Sequence, residues 1–192
     1  MTREEVLKLF KDTGALLEGH FQLSSGLHSP QYFQCAKVLQ YPQHAEALCR
    51  EIAQYFKGMK VDVVISPALG GIVVGQEVAR QLGARSIFAE RADGILQLRR
   101  GFEIKTAERV LACEDVVTTG GSIGEVLDIV KKRGGLIVGK ACIVDRTGGE
   151  PEPGQREPLF SLLKMDVVTC KPAECLLCRQ NTPLVKPGSR SV

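Results

Sequence analysis

The segment at residues 109–122, RVLACEDVVTTGGS, constrains this chain more than any other part of it. An apolar run is followed by two acids, two valines, two threonines, two glycines and a serine. Apolar residues then recur at helical spacing until Gly134 and Gly135 end the pattern. The segment therefore predicts a strand, an acidic turn, a loop rich in hydroxyls and glycine, and a helix.

Such a loop at the start of a helix is suited to binding an anion. Backbone N–H groups converge there, the helix dipole favours negative charge, and glycines permit close approach. The hydroxyls of Thr118, Thr119 and Ser122 add donors. Glu114 and Asp115 cannot bind phosphate, but they suit ribose hydroxyls or a water molecule on magnesium. A phosphorylated sugar fits both halves, and an ordinary capped helix start is the simpler alternative.

Several classes of protein are excluded by what the sequence does not contain. The segment matches neither the P-loop pattern nor the G-x-G-x-x-G dinucleotide pattern. A net charge of +3 gives no reason to expect nucleic acid as a partner. No signal peptide or membrane-spanning run is evident. The composition, with seven cysteines, fits a globular protein of a reducing cytoplasm.

Strand and helix patterns alternate along the chain, which predicts one α/β domain with a mainly parallel sheet. We divide it into an N-terminal helix and hood (1–42), an α/β core (43–169) and a C-terminal tail (170–192). Ligands of such sheets bind at the carboxyl ends of the strands. Polar or glycine-rich stretches are expected at four of these ends: 66–71, 90–101, 114–122 and 145–149. Apolar alternation on both sides of residues 99–101 predicts a β-hairpin there.

With these neighbours, the 109–122 segment resembles the phosphoribosyl pyrophosphate (PRPP) motif of the type I phosphoribosyltransferases. The turn at 66–71 resembles their pyrophosphate loop, in which a cis peptide would fall at Ala68–Leu69. The pattern FxLxSGxxSPxYF at residues 21–33 resembles the hood of the orotate branch. With Asp145-Arg146, the resemblance covers most of residues 1–150.

The resemblance implies transfer of phosphoribose from PRPP to orotate, with Mg²⁺ entering on PRPP and without direct protein ligands. It implies catalytic roles for Glu114, Asp115, Arg99 and Arg100. It implies that PRPP contacts Arg91, Glu114, Asp115, Val116, Val117, Thr118, Thr119, Gly120, Gly121, Ser122, Ala68, Leu69 and Gly70. It implies that orotate contacts Thr119, Arg146, Tyr32, Phe33 and Ser24.

The chain departs from the family pattern at three positions. Ser24, Gly70 and Ala92 stand where relatives carry lysine. In relatives a mobile hairpin loop brings a catalytic lysine to the active site of the neighbouring subunit. No lysine lies between positions 60 and 105, so we expect Arg99 or Arg100 to act across a homodimer interface, with Arg91 as a phosphate anchor.

Two other functions stay open at this stage. The same fold could act on a purine such as xanthine or adenine, and orotate is favoured by the hood pattern and by Arg146. The chain could also be a regulator that senses PRPP without catalysis, although no DNA-binding module is visible.

The tail carries three closely spaced cysteines, Cys170, Cys175 and Cys178. A Cys-x-x-Cys pair is a familiar metal signature. Only three ligands are local, and a fourth would have to come from elsewhere, for example Cys35 or a histidine. Reduced thiols in a C-terminal cap are the simpler interpretation, which we favour on sequence alone.

Overall fold

The computed structural model describes residues 1–23, 25–148, 157, 159–165 and 168–187. Its central sheet has six strands: β3 (Val63–Pro67), β4 (Arg85–Ala92), β5 (Ile95–Leu98), β6 (Arg109–Val117), β7 (Leu136–Asp145) and β8 (Leu159–Lys164). They lie in the order β5-β4-β3-β6-β7-β8. Every neighbouring pair is parallel apart from β4 and β5. The predicted α/β fold with a mainly parallel sheet is therefore confirmed.

Helices cover both faces of this sheet, and a small hairpin lies outside it. The helices are α1 (Arg3–Asp12), α2 (Ala36–Leu39), α3 (Pro42–Phe56), α4 (Gly70–Leu82), α5 (Gly121–Lys132) and α6 (Leu176–Arg179). One apolar core contains buried residues of α1, α3 and α4, and a second contains those of α5. The hairpin pairs β1 (Leu16–Gln22) with β2 (His28–Phe33) and corresponds to the predicted hood.

Local sequence signals explain where the main elements begin and end. The α1 helix starts with a capping box in which Thr2 and Glu5 bond each other's backbone N–H groups. All five residues of β3 are buried, as expected for a parallel strand covered on both faces. Gly83 ends α4 with a φ of 68°, a conformation that favours glycine.

The chain reverses its direction of travel across the sheet between β3 and β6. From β3 it moves outward through β4 to β5, and from β6 it moves the other way through β7 to β8. The carboxyl ends of β3 and β6 are thus adjacent, and the connections that follow them diverge. A crevice at such a point is where parallel α/β sheets bind ligands.

The predicted hairpin around residues 99–101 is wrong in its position. The structure pairs β4 with β5 and turns at Asp93–Gly94, while residues 102–105 form no strand. Both turn residues have positive φ, 50° and 82°. An Asp-Gly pair favours this two-residue turn because its twist matches that of the flanking strands. Arg99 and Arg100 consequently lie just beyond the end of β5.

No helix among the described residues is long and apolar enough to cross a membrane.

The C-terminal tail lies against the β1–β2 hairpin through a few backbone hydrogen bonds. Cys170 pairs with His28, and Val185 pairs with residues 20 and 22 of β1.

Candidate active site

The β6–α5 junction has the local structure that its sequence predicts. The β6 strand ends at Val117, the side chains of Thr118 and Thr119 are exposed, and α5 begins at Gly121. Gly120 precedes the helix with a φ of 86°. The first amides of a helix have no carbonyl partner within it, and they carry the positive end of its dipole. Together with the exposed hydroxyls, these amides are suited to binding an anion from solvent.

Two carboxyl groups lie next to this anion site in a poorly solvated position. Burial, and to a lesser extent the charge of Asp115, raises the pKa of Glu114 to about 8. Burial also raises the pKa of Asp115, although hydrogen bonds from the backbone N–H groups of Asp115 and Val116 lower it. The negatively charged forms of both carboxyl groups are therefore disfavoured in the ligand-free protein. A ligand that brings hydrogen-bond donors or positive charge would stabilise them.

The loop after β3 packs directly against these acids. The peptide bond between Ala68 and Leu69 is cis, as predicted. A Cβ atom placed on Gly70 would lie 2.5 Å from Asp115 Oδ2 and 2.7 Å from its Cγ. Any side chain at position 70 would have to displace the Asp115 carboxylate. Glycine at position 70, where relatives carry lysine, therefore lets the backbone lie against the Asp115 carboxylate.

Arg146 follows β7 and lies in the same region of the sheet edge. Its backbone N–H donates to Val117 O at 2.8 Å, so the two strand ends are joined. Its Nε atom is buried and has no hydrogen-bond partner among the described residues. Burial lowers the pKa of the guanidinium, and the Tyr32 hydroxyl opposes this shift. A half-buried guanidinium whose buried Nε has no partner among the described residues is suited to a carboxylate ligand.

The hood contributes one of its two predicted aromatic residues to this region. Tyr32 is half-buried, and burial raises the pKa of its hydroxyl, which also responds to the charges of Arg146 and Asp115. Phe33 is only 6% exposed and packs in the core, with its ring centroid 5.9 Å from that of Phe10. Tyr32 is therefore the aromatic residue that can face a ligand. Ser24 lies outside the described residues.

The three arginines in and just after the β4–β5 hairpin differ in their partners. Arg91 forms an ion pair with Glu125 of α5 at 2.7 Å and also donates to the Gly94 carbonyl. Arg100 binds Glu90 through two hydrogen bonds, at 2.7 and 2.8 Å. Arg99 forms no ion pair with any residue that the structure describes. Of the two predicted catalytic arginines, Arg99 is thus the one available to a ligand.

The tail cysteines meet two histidines that the sequence analysis did not single out. Cys175 and Cys178 lie beside His20 and His28 of the hairpin, whereas Cys170 is not part of this group. Cys35, suggested as a fourth ligand, is buried near Asp115 and Cys142 instead. Two histidines eight residues apart in the predicted hood, with a Cys-x-x-Cys pair in the tail, were the available signal.

Comparisons with known proteins agree with this geometry. The family model described as phosphoribosyl transferase domain matches residues 36–158. The chain is 57% identical, over the full length of both proteins, to one from Caldicellulosiruptor saccharolyticus named orotate phosphoribosyltransferase. Its fold matches 93% of the orotate phosphoribosyltransferase structure from Aeropyrum pernix with 83% of this chain, at a TM-score of 0.70 and 26% identity.

An adenine phosphoribosyltransferase structure from Rhodothermus marinus is also similar in fold. Its TM-score is 0.68 at 19% identity, covering 84% of this chain and 99% of that one. At this identity the likeness concerns the fold alone. The shape of the backbone therefore does not distinguish between the two kinds of base.

The raised pKa of Glu114 predicts a specific dependence of stability on pH. The Glu114 carboxyl group binds its proton more tightly in the folded protein than in the unfolded chain. The folded protein therefore loses stability as the pH rises from the usual pKa of this group, 4.5, to its raised pKa of about 8. Glu114→Gln removes this loss, so its gain in Tm over wild type should be small at pH 5 and should grow up to pH 8. Each kcal/mol corresponds to roughly 2–4 °C in a chain of this size.

Calorimetry of ligand-free protein at several pH values measures this difference. Glu103→Gln, which removes an exposed carboxyl group, is the matched control and should show no such trend. A Glu114→Gln gain that stays constant between pH 5 and pH 8 would contradict the assignment.

Proposed function

Because the chain belongs to the phosphoribosyltransferase family, we propose that it transfers the 5-phosphoribosyl group of PRPP to orotate. The products are orotidine 5′-phosphate and pyrophosphate, in the synthesis of UMP. The observation that carries the choice of orotate is the buried Nε of Arg146, which has no partner among the described residues. Orotate bears a carboxylate that this donor can bind, and a purine base does not.

The β6–α5 junction is assigned to the phosphoribosyl half of PRPP. The 5′-phosphate accepts hydrogen bonds from the amides of the loop at 118–122 and from the hydroxyls of Thr118, Thr119 and Ser122. Val116 and Val117 are the last two residues of β6, and their backbone leads directly into this loop. Glu114 and Asp115 accept hydrogen bonds from the ribose hydroxyls, which relieves the poor solvation that raises their pKa values.

The loop after β3 is assigned to the pyrophosphate half. The α4 helix begins at Gly70 with Leu69 as its N-cap, so the first amides of this helix are suited to the departing anion. The Ala68 N–H group already donates to the Ala89 carbonyl, and Ala68 therefore contributes through the path of its backbone. The absence of a side chain at Gly70 keeps this backbone close to Asp115. The two halves of PRPP would thus be held by adjacent strand ends, with the anomeric carbon between them.

Magnesium fits the chemistry of this site as a partner of PRPP. The half-buried pair of carboxyl groups offers the oxygen atoms that Mg²⁺ and its bound waters prefer. When bound, the ion supplies positive charge to the pyrophosphate as it leaves. The protein itself orients the two substrates, provides donors for the growing charge and excludes water.

The base is assigned to the space between the hood and the end of β7. Arg146 binds the orotate carboxylate through its guanidinium, and the Tyr32 ring covers the pyrimidine. Thr119 lies on the loop between the base and the phosphate. The cytoplasm suits such an enzyme, since no cysteine of the chain is in a disulfide.

A panel of bases tests the proposed substrate directly. Purified protein with Mg²⁺ and PRPP is given orotate, uracil, xanthine, hypoxanthine or adenine, and the nucleotide formed is measured. We expect turnover of orotate, and none of uracil, which is the matched control because it lacks only the carboxylate. Turnover of a purine without orotate would refute the proposal, and no turnover of any base would favour a regulator that only senses PRPP.

We further propose a homodimer in which the β4–β5 hairpin and the residues just after it, from one subunit, complete the active site of the other. Positive charge must reach the pyrophosphate oxygens as they gain negative charge. Arg99 is available for this role because it makes no ion pair among the described residues, while Arg100 is held by Glu90. Arg91 is linked to α5 through Glu125, so it is positioned to fix the base of the hairpin and to anchor phosphate.

Hybrid dimers test the shared site. An Arg99→Ala/Arg100→Ala protein is mixed with an Asp115→Asn protein, each inactive alone. Random exchange makes half of the dimers hybrid, and each hybrid has one complete site, so about a quarter of the wild-type activity should return. Mixing two preparations of the same variant is the control. No recovery after proven subunit exchange, or a fully active monomer, would rule out a shared site.

A further inference from the structure

Four potential metal ligands converge where the C-terminal tail crosses the hairpin. His20 lies on β1, His28 lies on β2, and Cys175 and Cys178 lie at the start of α6. One ligand atom from each residue lies within 4.8 Å of all the others. Three of the four side chains are almost completely buried, with His20 2%, His28 3% and Cys175 2% exposed.

Three of the distances between these atoms match the edges of a tetrahedron, and the distance between the two nitrogens is shorter. A zinc ion with bonds of about 2.0–2.1 Å to nitrogen and 2.3 Å to sulfur separates its ligand atoms by about 3.3–3.8 Å. Cys175 Sγ lies 3.4 Å from His20 Nε2, and Cys178 Sγ lies 3.6 Å from it. Cys178 Sγ lies 3.3 Å from His28 Nδ1, and the two nitrogens are 2.9 Å apart. A slight widening of the nitrogen pair would admit the ion.

A backbone contact fixes the orientation of one histidine ring. His20 Nδ1 lies 2.8 Å from the carbonyl oxygen of Thr182, which can only accept a hydrogen bond. The proton of a neutral His20 is therefore on Nδ1, and the lone pair of Nε2 is directed at the cysteines. A ligating histidine commonly donates its other N–H to a carbonyl in this way.

An irregularity in the hairpin brings His20 into this position. The pairing of β1 with β2 shifts between Glu18 and Phe21, where β1 contains an extra residue. His20 and Phe21 are consequently both buried, although strict alternation would expose one of them. The bulge therefore gives the buried side of the hairpin a polar ligand beside its apolar residue.

The tail has little else to hold it in place. Cys175 is the single buried residue among the described tail residues 168–187. Backbone hydrogen bonds join the tail to His28 and to two residues of β1, and each such bond contributes only about 1 kcal/mol of net stability. A segment that cannot bury apolar surface is commonly fixed by a metal or a disulfide, and the cysteines form no disulfide.

We propose that His20, His28, Cys175 and Cys178 bind one structural zinc ion that fastens the C-terminal tail to the β1–β2 hairpin. Two thiolates and two imidazoles in a tetrahedral arrangement are the ligands that zinc prefers. All four positions are filled by protein, so the site is closed and has no catalytic role. The inference is independent of the proposed transferase activity, which is assigned to the loops that follow β3, β6 and β7.

Metal content of the full-length protein is the first test. Protein purified in the presence of a thiol reductant and passed through gel filtration should carry about one zinc ion per chain by elemental analysis. Cys175→Ser and Cys178→Ser should each lose most of it. Arg179→Ser, which changes an exposed residue of the same short helix, is the matched control. It should keep its zinc.

Spectroscopy of the wild-type protein avoids variants that fail to fold. After removal of metal by a chelator, added Co²⁺ should give the visible bands of tetrahedral cobalt and a thiolate charge-transfer band, and zinc should displace it. The Tm should fall with the metal and return with Zn²⁺ but not with Mg²⁺. Protein without zinc that also gives no charge-transfer band with Co²⁺ would overturn the proposal, as would equal loss of zinc in Arg179→Ser.

Discussion

The parallel pairing of β3 with β6 is the constraint on which the rest of the structure depends. Val63, Val64 and Ile65 pair with residues 110–112, and every one of these side chains is buried. Because the chain leaves β3 and β6 in opposite directions, their following loops meet at one edge of the sheet. Two helix starts and a pair of acids are thereby concentrated where one ligand can contact them all. The same pairing places Gly70 against Asp115.

The electrostatics of this edge are unfavourable until a ligand binds. Burial raises the pKa values of both acids and leaves the Arg146 Nε without a described partner. Such a site loses stability in exchange for readiness to bind, a pattern common at functional sites. The two proposed substrates together offer each of these side chains a partner. PRPP brings ribose hydroxyls and magnesium to the two acids, and orotate brings a carboxylate to Arg146. The hood lies beside this region through Tyr32, and Leu16 and Phe33 anchor it in the main apolar core.

Local signals made much of the fold predictable, and contacts between distant segments explain what was missed. The strand, loop and helix at 109–132 followed from the periodicity of the apolar residues, and the cis bond followed from the resemblance. The hairpin was misplaced because Asp93–Gly94 is a stronger turn signal than the glycine at 101. The burial of Phe33 depends on its contact with Phe10, which no local pattern reports. Likewise, the contacts of His20 and His28 with the tail cysteines join segments some 150 residues apart, and they depend on the bulge in β1. A local sequence pattern reports neither feature.

The kcat/KM for orotate of an Arg146→Ala variant tests the account of this site most directly. A hydrogen-bonded charge pair lost from a poorly solvated site should lower kcat/KM for orotate by roughly 10- to 100-fold. The KM for PRPP should stay near its wild-type value, because the phosphoribosyl contacts come from other loops. Arg146→Lys should recover only part of the loss, since a lysine cannot form a two-point contact with a carboxylate. An Arg146→Ala variant with unchanged kcat/KM for orotate would contradict the assignment of this guanidinium to the base.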